Sequence, residues 1–115
     1  MKLIRLFTRY ENMNQVRERL FEAGAPGISI LEAQGIGKPL GQMKDAISNK
    51  PTDLPQFKQR ILVEVVVDDD SVEDMVALLK ETCHTGRLGD GKIFILPVDD
   101  AMRVRTGERG DSSLY

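Results

Sequence analysis

The run Ile61-Leu62-Val63-Glu64-Val65-Val66-Val67 constrains this chain more than any other stretch. β-Branched side chains fit a pleated surface and lose χ1 freedom in a helix, so a run this rich in them specifies a strand. Its near-continuous apolarity makes that strand central and covered on at least one face. Glu64 is the exception, and alternation puts it on the opposite face from Val63 and Val65. There it is either a solvent-facing rim carboxylate or an acceptor for a ligand's amino group.

The rest of the chain supplies neighbours for this strand. Met1–Phe7 (MKLIRLF) reads as a first strand. Asn12 or Asn14 is placed to cap a helix with Met13, Val16 and Leu20 on one face and Phe21 beside them. Gly24 is placed to end it in a left-handed conformation, and Pro26-Gly27 makes a turn. Ile28–Ala33 is a second strand. After the central strand, Ser71-Val72-Glu73-Asp74 resembles a capping box, and Asp68, Asp69 and Asp70 favourably load the N-terminus of a second helix. The three aspartates lack the spacing of a calcium loop. Val72, Met75, Val76 and Leu79 form that helix's buried stripe. Lys92–Leu96 is another strand, broken by Pro97, and Ala101–Arg105 a last short one. Gly107–Ser113 is a polar tail, expected to be mobile unless a ligand or neighbour orders it. The order β-α-β, long loop, β-α-β is that of an α+β, ferredoxin-like split βαβ sheet with two helices on one face. Its other face is left for oligomerisation to cover.

Size and charge exclude several functions. At 115 residues the chain is expected to form a single domain, 1–115. A formal net charge of −2 offers no general field for nucleic acid. No apolar run approaches the ~18 residues of a membrane span, and no signal-peptide pattern opens the chain, so no direct membrane insertion is expected. The single cysteine, Cys83, fits a reducing cytoplasm and a small apolar role near a helix end. His84, the only histidine, has no ligand neighbours at metal spacing, so no metal site is expected.

Two stretches carry candidate chemistry. Thr85-Gly86-Arg87-Leu88-Gly89-Asp90-Gly91-Lys92 has three glycines in six residues, with Arg87 and Lys92 as cations. Successive N–H groups in such a loop form an anion-binding concavity. Gly86-x-x-x-x-Gly91-Lys92 approaches a Walker A pattern, but Ile93 stands where that motif needs Ser or Thr, and a strand follows where it needs a helix. The loop is therefore a phosphate cradle of another kind, or a flexible turn between helix and strand. Arg103 and Arg105, two apart on the expected last strand, suit bidentate hold of phosphate oxygens, or are solvated charges. Between the second and third strands, residues 36–59 contain Pro39, Pro51 and Pro55 and no sustained period. An irregular connection of that length is usually functional or mobile.

Thr85–Phe94 together with Arg103-Val104-Arg105-Thr106-Gly107-Glu108 resembles the double signature of the PII signalling proteins. Gly35-Ile36-Gly37-Lys38, Val16-Arg17-Glu18 and Gly24-x-x-Gly27 fall where that family has similar residues. The resemblance spans nearly the whole chain. It implies a ferredoxin-like homotrimer with an adenine nucleotide in each cleft between subunits. Gly35, Gly37 and Lys38 would line the base of the long loop beside the nucleotide. Gly89, Asp90, Gly91 and Lys92 would hold phosphates, and Glu64 and Val66 would face the adenine. Gly27, Ile28, Ser29, Arg103 and Arg105 would reach the same nucleotide from the adjoining subunit. Residues 37–59 would be an effector loop that grips a transporter, enzyme or other regulator, and 106–115 the C-terminal tail.

The chain departs from the family in that loop. Members that sense 2-oxoglutarate carry a glutamine, completing magnesium coordination around ATP, where this chain has Pro39. Proline offers neither a donor nor a side-chain acceptor, so the resemblance does not carry over the magnesium–ATP–2-oxoglutarate complex. The loop also lacks the tyrosine that some members have modified. The resulting expectation is a divergent, non-enzymatic regulator that binds ADP, AMP or ATP and acts in inorganic-carbon control, with bicarbonate as a second signal. The alternatives are a conventional nitrogen-regulatory PII protein and a slow ATP/ADP hydrolase using the same cleft.

Overall fold

The computed structural model describes residues 1–37 and 57–115. Strands β1 (Lys2–Arg9), β2 (Ser29–Gly35), β3 (Lys58–Val67) and β4 (Lys92–Pro97) and helices α1 (Met13–Glu22) and α2 (Val72–Cys83) follow in the order β-α-β-β-α-β. The sheet runs β2-β3-β1-β4, antiparallel at every step. This is the α+β, split βαβ order that the sequence pattern implies.

Alternation divides the sheet into two faces. Ile4 and Leu6 of β1 and Ile61, Val63, Val65 and Val67 of β3 are buried against Val16 and Leu20 of α1 and Val72, Met75, Leu79 and Cys83 of α2. Cys83 packs as a small apolar residue, and burial pushes its thiol pKa up, so it carries little thiolate. The opposite face carries Leu3, Arg5 and Phe7 of β1, Leu62, Glu64 and Val66 of β3, and Phe94 and Leu96 of β4. Arg5 bridges to Glu64 there, with Nη2 2.7 Å from Oε1. Glu64 thus lies on the face opposite Val63 and Val65, as alternation requires. No helix among the described residues is long and apolar enough to cross a membrane.

Several boundaries differ from the expected ones. β1 runs on past Phe7 to Arg9, and β3 begins at Lys58 because its ladder continues opposite Ala33, Gln34 and Gly35 beyond the apolar run. β2 correspondingly starts at Ser29 and extends to Gly35. Neither expected side-chain cap forms, since each helix is entered through a 3-10 turn, Tyr10–Asn12 and Asp69–Ser71. The Asn12 amide instead donates to Thr8 Oγ1, and the Ser71 hydroxyl to Asp68 Oδ1. Gly24 does end α1, at φ 80°, with the Gly24 and Ala25 N–H groups on the Phe21 and Leu20 carbonyls. Pro97 is the last residue of β4, on a sheet edge where its missing N–H removes no ladder bond.

The largest correction concerns residues 101–115. Ala101–Arg105 is not a strand of the sheet. Beyond Pro97 the chain pairs with itself: Met102 bridges Arg109, and the Arg103 N–H donates to the Glu108 carbonyl at 2.8 Å. Arg103 and Arg105 therefore do not share a strand face. The tail, expected to be mobile, makes a 3-10 turn over Asp111–Leu114, and the Tyr115 hydroxyl donates to Asp68 Oδ1 at 2.6 Å. Residues 38–56, with the expected effector loop's greater part, lie outside the described residues.

The core makes a simple contrast testable. Leu20 is fully buried while its neighbour Phe21 is 57 % exposed. Leu20→Ala is expected to cost roughly 2–5 kcal/mol in denaturant unfolding, and Phe21→Ala under about 1 kcal/mol; equal losses would contradict this placement of α1.

Candidate functional site

The glycine loop is built around one carboxylate. Asp90 Oδ2 accepts the Thr85 N–H at 2.7 Å and the Gly86 N–H at 2.9 Å, and the Thr85 hydroxyl donates to Oδ1. From the end of β1, Arg9 Nη1 reaches Oδ1 at 2.6 Å, while its Nη2 takes the Leu88 carbonyl at 2.8 Å. Thr8, fully buried, donates to the Asp90 carbonyl at 2.9 Å. The Thr85 hydroxyl and N–H, with Arg9, hold the Asp90 carboxyl well below the usual carboxylate range. Asp90 therefore shapes the loop; its oxygens are already committed to these donors.

Gly91 follows at φ 107°, and a methyl group on it would overlap the Phe7 carbonyl of β1. Only glycine permits this approach of the loop to the strand. Gly86 and Gly89 also have positive φ. The loop is thereby pressed onto the ends of β1 and β3, where a side chain on Gly89 would meet the Arg9 and Arg60 guanidinium groups.

Beside it opens a cavity of about 470 Å³, lined by Gly35 at the end of β2 with Ile36 and Gly37 after it, Arg60 of β3, Gly89, Gly91 and Lys92 of the loop, and Phe7 and Phe94. The two phenylalanines meet edge to face with ring centroids 6.1 Å apart. One wall is apolar and the other carries two cations and glycine-rich backbone. That division suits a ligand with a flat apolar part and an anionic end.

Five of the sequence candidates, Gly35, Gly37, Gly89, Gly91 and Lys92, thus line one cavity, although more than fifty residues separate the two glycine groups in the chain. Asp90 lies behind the loop. Glu64 is paired with Arg5 in mid-sheet, and neither it nor Val66 lines the cavity. Gly27, Ile28 and Ser29 lie towards the other end of β2, where Ser29 pairs with Glu64 and Gly35 with Lys58. Arg103 is bonded to the chain's own tail and Arg105 is exposed on the turn beside it. Lys38 is outside the described residues. Phe7, Arg9, Arg60 and Phe94 were not legible as site residues, because strand pairing alone brings them here. Their one signal was alternation, which sets Phe7 and Arg9 on the face away from Leu6 and Thr8.

The family model for nitrogen regulatory protein P-II matches residues 1–108. The chain belongs to that family. Curated relatives named nitrogen regulatory protein P-II include those of Azospirillum brasilense, 35 % identical over 99 % of this chain and all of the relative, and Synechocystis sp., 35 % identical over the same shares. The relative from Mesorhizobium japonicum is 36 % identical over 96 % of each chain. A PII chain is a signalling regulator by family, and the glycine loop and the Arg103–Glu108 segment both fall inside the match.

Two outcomes follow from the loop's construction. Gly91→Ala is expected to cost roughly 2 kcal/mol or more in denaturant unfolding. Gly24→Ala, strained in φ but with no atom within 4 Å of the added methyl, should cost about 1 kcal/mol. Asp90 has a folded pKa below its unfolded value of about 3.9, so its contribution is full above that value and lost as pH falls through the folded pKa. Amide exchange should show Thr85 and Gly86 protected at pH 5, losing protection only well below pH ~4, and unprotected at all pH values in Asp90→Ala, which removes the acceptor oxygen.

Proposed function

We propose that this PII chain is a sensor of adenine nucleotides, ADP, AMP or ATP, which regulates a partner protein through the segment between β2 and β3. The observation that carries this reading is the meeting of Gly35 and Gly37 with Gly89, Gly91 and Lys92 around one cavity. Its volume lies within the ~300–1,000 Å³ of small-molecule sites. Lys92 and Arg60 would neutralise phosphates, backbone N–H groups of the glycine loop would donate to them, and Phe7 and Phe94 would pack the base. Because Gly35 and Gly37 begin the connection from β2, a ligand here would touch the segment whose conformation a partner reads. Ligand and partner are then coupled reciprocally.

A homotrimer would complete the site. The sheet face away from the helices leaves Leu31 and Phe94 about half exposed, an apolar surface of the kind that self-association covers. Gly27–Ser29, Arg103 and Arg105 would then approach a neighbouring copy's cavity. Nitrogen control is the regulatory role that the relatives' names favour. Inorganic-carbon control, with bicarbonate as a second ligand, is the other reading, supported by Pro39, whose side chain cannot complete a magnesium sphere.

Calorimetry with AMP, ADP and ATP, each with and without magnesium, 2-oxoglutarate and bicarbonate, tests this. Binding at sub-millimolar concentration is expected, weakened roughly tenfold or more by Lys92→Ala, since hydrogen bonds to charged groups are worth about 1.5–3 kcal/mol. No heat with any adenine nucleotide would sink it. Enhancement by 2-oxoglutarate would favour nitrogen sensing, and by bicarbonate the carbon reading.

A further inference from the structure

Arg103 and Arg105 lie two residues apart in the segment that distinguishes the chain's C-terminal part, yet their surroundings differ. Residues 101–110 form a small hairpin closed at its base by Asp100. The Asp100 carboxylate accepts Arg109 Nε at 2.7 Å, the Gly110 N–H at 3.1 Å and the Ala101 N–H at 2.8 Å. Inside this hairpin Arg103 is turned back onto the tail, its Nη2 donating to the Ser113 carbonyl at 3.3 Å and to the Tyr115 carbonyl. Arg105 has no side-chain hydrogen bond or ion pair among the described residues.

The tail is itself anchored. Ser113 N–H and Oγ both donate to the Gly110 carbonyl, and the Tyr115 hydroxyl crosses to Asp68 Oδ1 at the entrance to α2, an oxygen that also takes the Ser71 hydroxyl. Nη2 belongs to both two-pronged faces of a guanidinium, so while it is held by main-chain oxygens of the tail Arg103 cannot fork onto a phosphate. We propose that residues 113–115 are a latch that withholds Arg103 from an anionic ligand, with the Tyr115–Asp68 contact as its catch. Opening the catch frees Arg103, while Arg105 stays available in both states. The inference rests on the nucleotide reading above and adds to it a gate inside the chain. By linkage, a ligand that recruits Arg103 must loosen the tail.

The hydrogen bond to Asp68 raises the pKa of Tyr115, which makes the catch observable without ligand. In a Tyr10→Phe background the remaining tyrosine is expected to titrate by absorbance above the ordinary value of about 10, and Asp68→Asn should return it there. Titration at the ordinary value in both chains would overturn the proposal. In calorimetry with ADP, Tyr115→Phe should bind roughly three- to tenfold more tightly than the unmodified chain, because a larger fraction is competent. The gain should vanish when Arg103→Ala is added. ADP should also speed amide exchange at Ser113. Equal ADP affinity in the unmodified chain and Tyr115→Phe would overturn the latch while leaving the cavity reading intact. Absence of ADP binding from every variant would remove the cavity reading, and the gate with it.

Discussion

Asp90 and the end of β1 hold the cavity open. A loop with three glycines in six residues has few side-chain contacts of its own and a large conformational entropy to lose. Here that loss is offset by one carboxylate that gathers Thr85, Gly86 and Arg9, by Thr8 on the Asp90 carbonyl, and by Gly91 lying against Phe7. Gly89, Gly91 and Lys92 are then presented from a rigid strand end. Pre-ordering of this kind lowers what a ligand must spend on organising its site.

The sheet supplies the remainder of the geometry. β1 lies between β3 and β4, so Phe7 has Leu62 on one side and Lys92 on the other, while Arg9 pairs with Arg60. β3 in turn carries β2, whose end brings Gly35 opposite Lys58. The cavity forms where three strands end together and the connection from β2 leaves. A regulator would benefit from such a place, because a ligand bound there would touch both a rigid surface and the start of a departing segment. The second arginine segment follows a different logic: beyond Pro97 it folds on itself, closed by Asp100 and Arg109 and tied to α2 through Tyr115.

Much of this was legible in the residues. The ILVEVVV run marked the central part of β3, the stripe Val72, Met75 and Leu79 marked α2, and Gly24 marked the end of α1, because alternation, helical period and positive φ are local properties. Gly35, Gly37, Gly89, Gly91 and Lys92 were identified as partners through resemblance, and the sheet brings them to one cavity. The helix starts fell where expected, with Asn12 and Ser71 at the cap positions, but the capping bonds do not form: a 3-10 turn precedes each helix, leaving those side chains to bond Thr8 and Asp68. Residues 101–105 alternate like a strand, but alternation does not say whether the partner is the sheet or the chain's own return segment.

The sequence by itself determined the α+β class, the order of elements, the buried stripes and the glycine loop, since each follows from side-chain period and local backbone preference. Only the tertiary structure decided that Asp90 braces the loop, that Arg9, Arg60, Phe7 and Phe94 stand around the glycines, and that Arg103 turns to the tail. Those outcomes depend on strand register and on contacts between residues up to 82 positions apart. Such contacts are set by how the sheet closes, and local propensity carries no record of them.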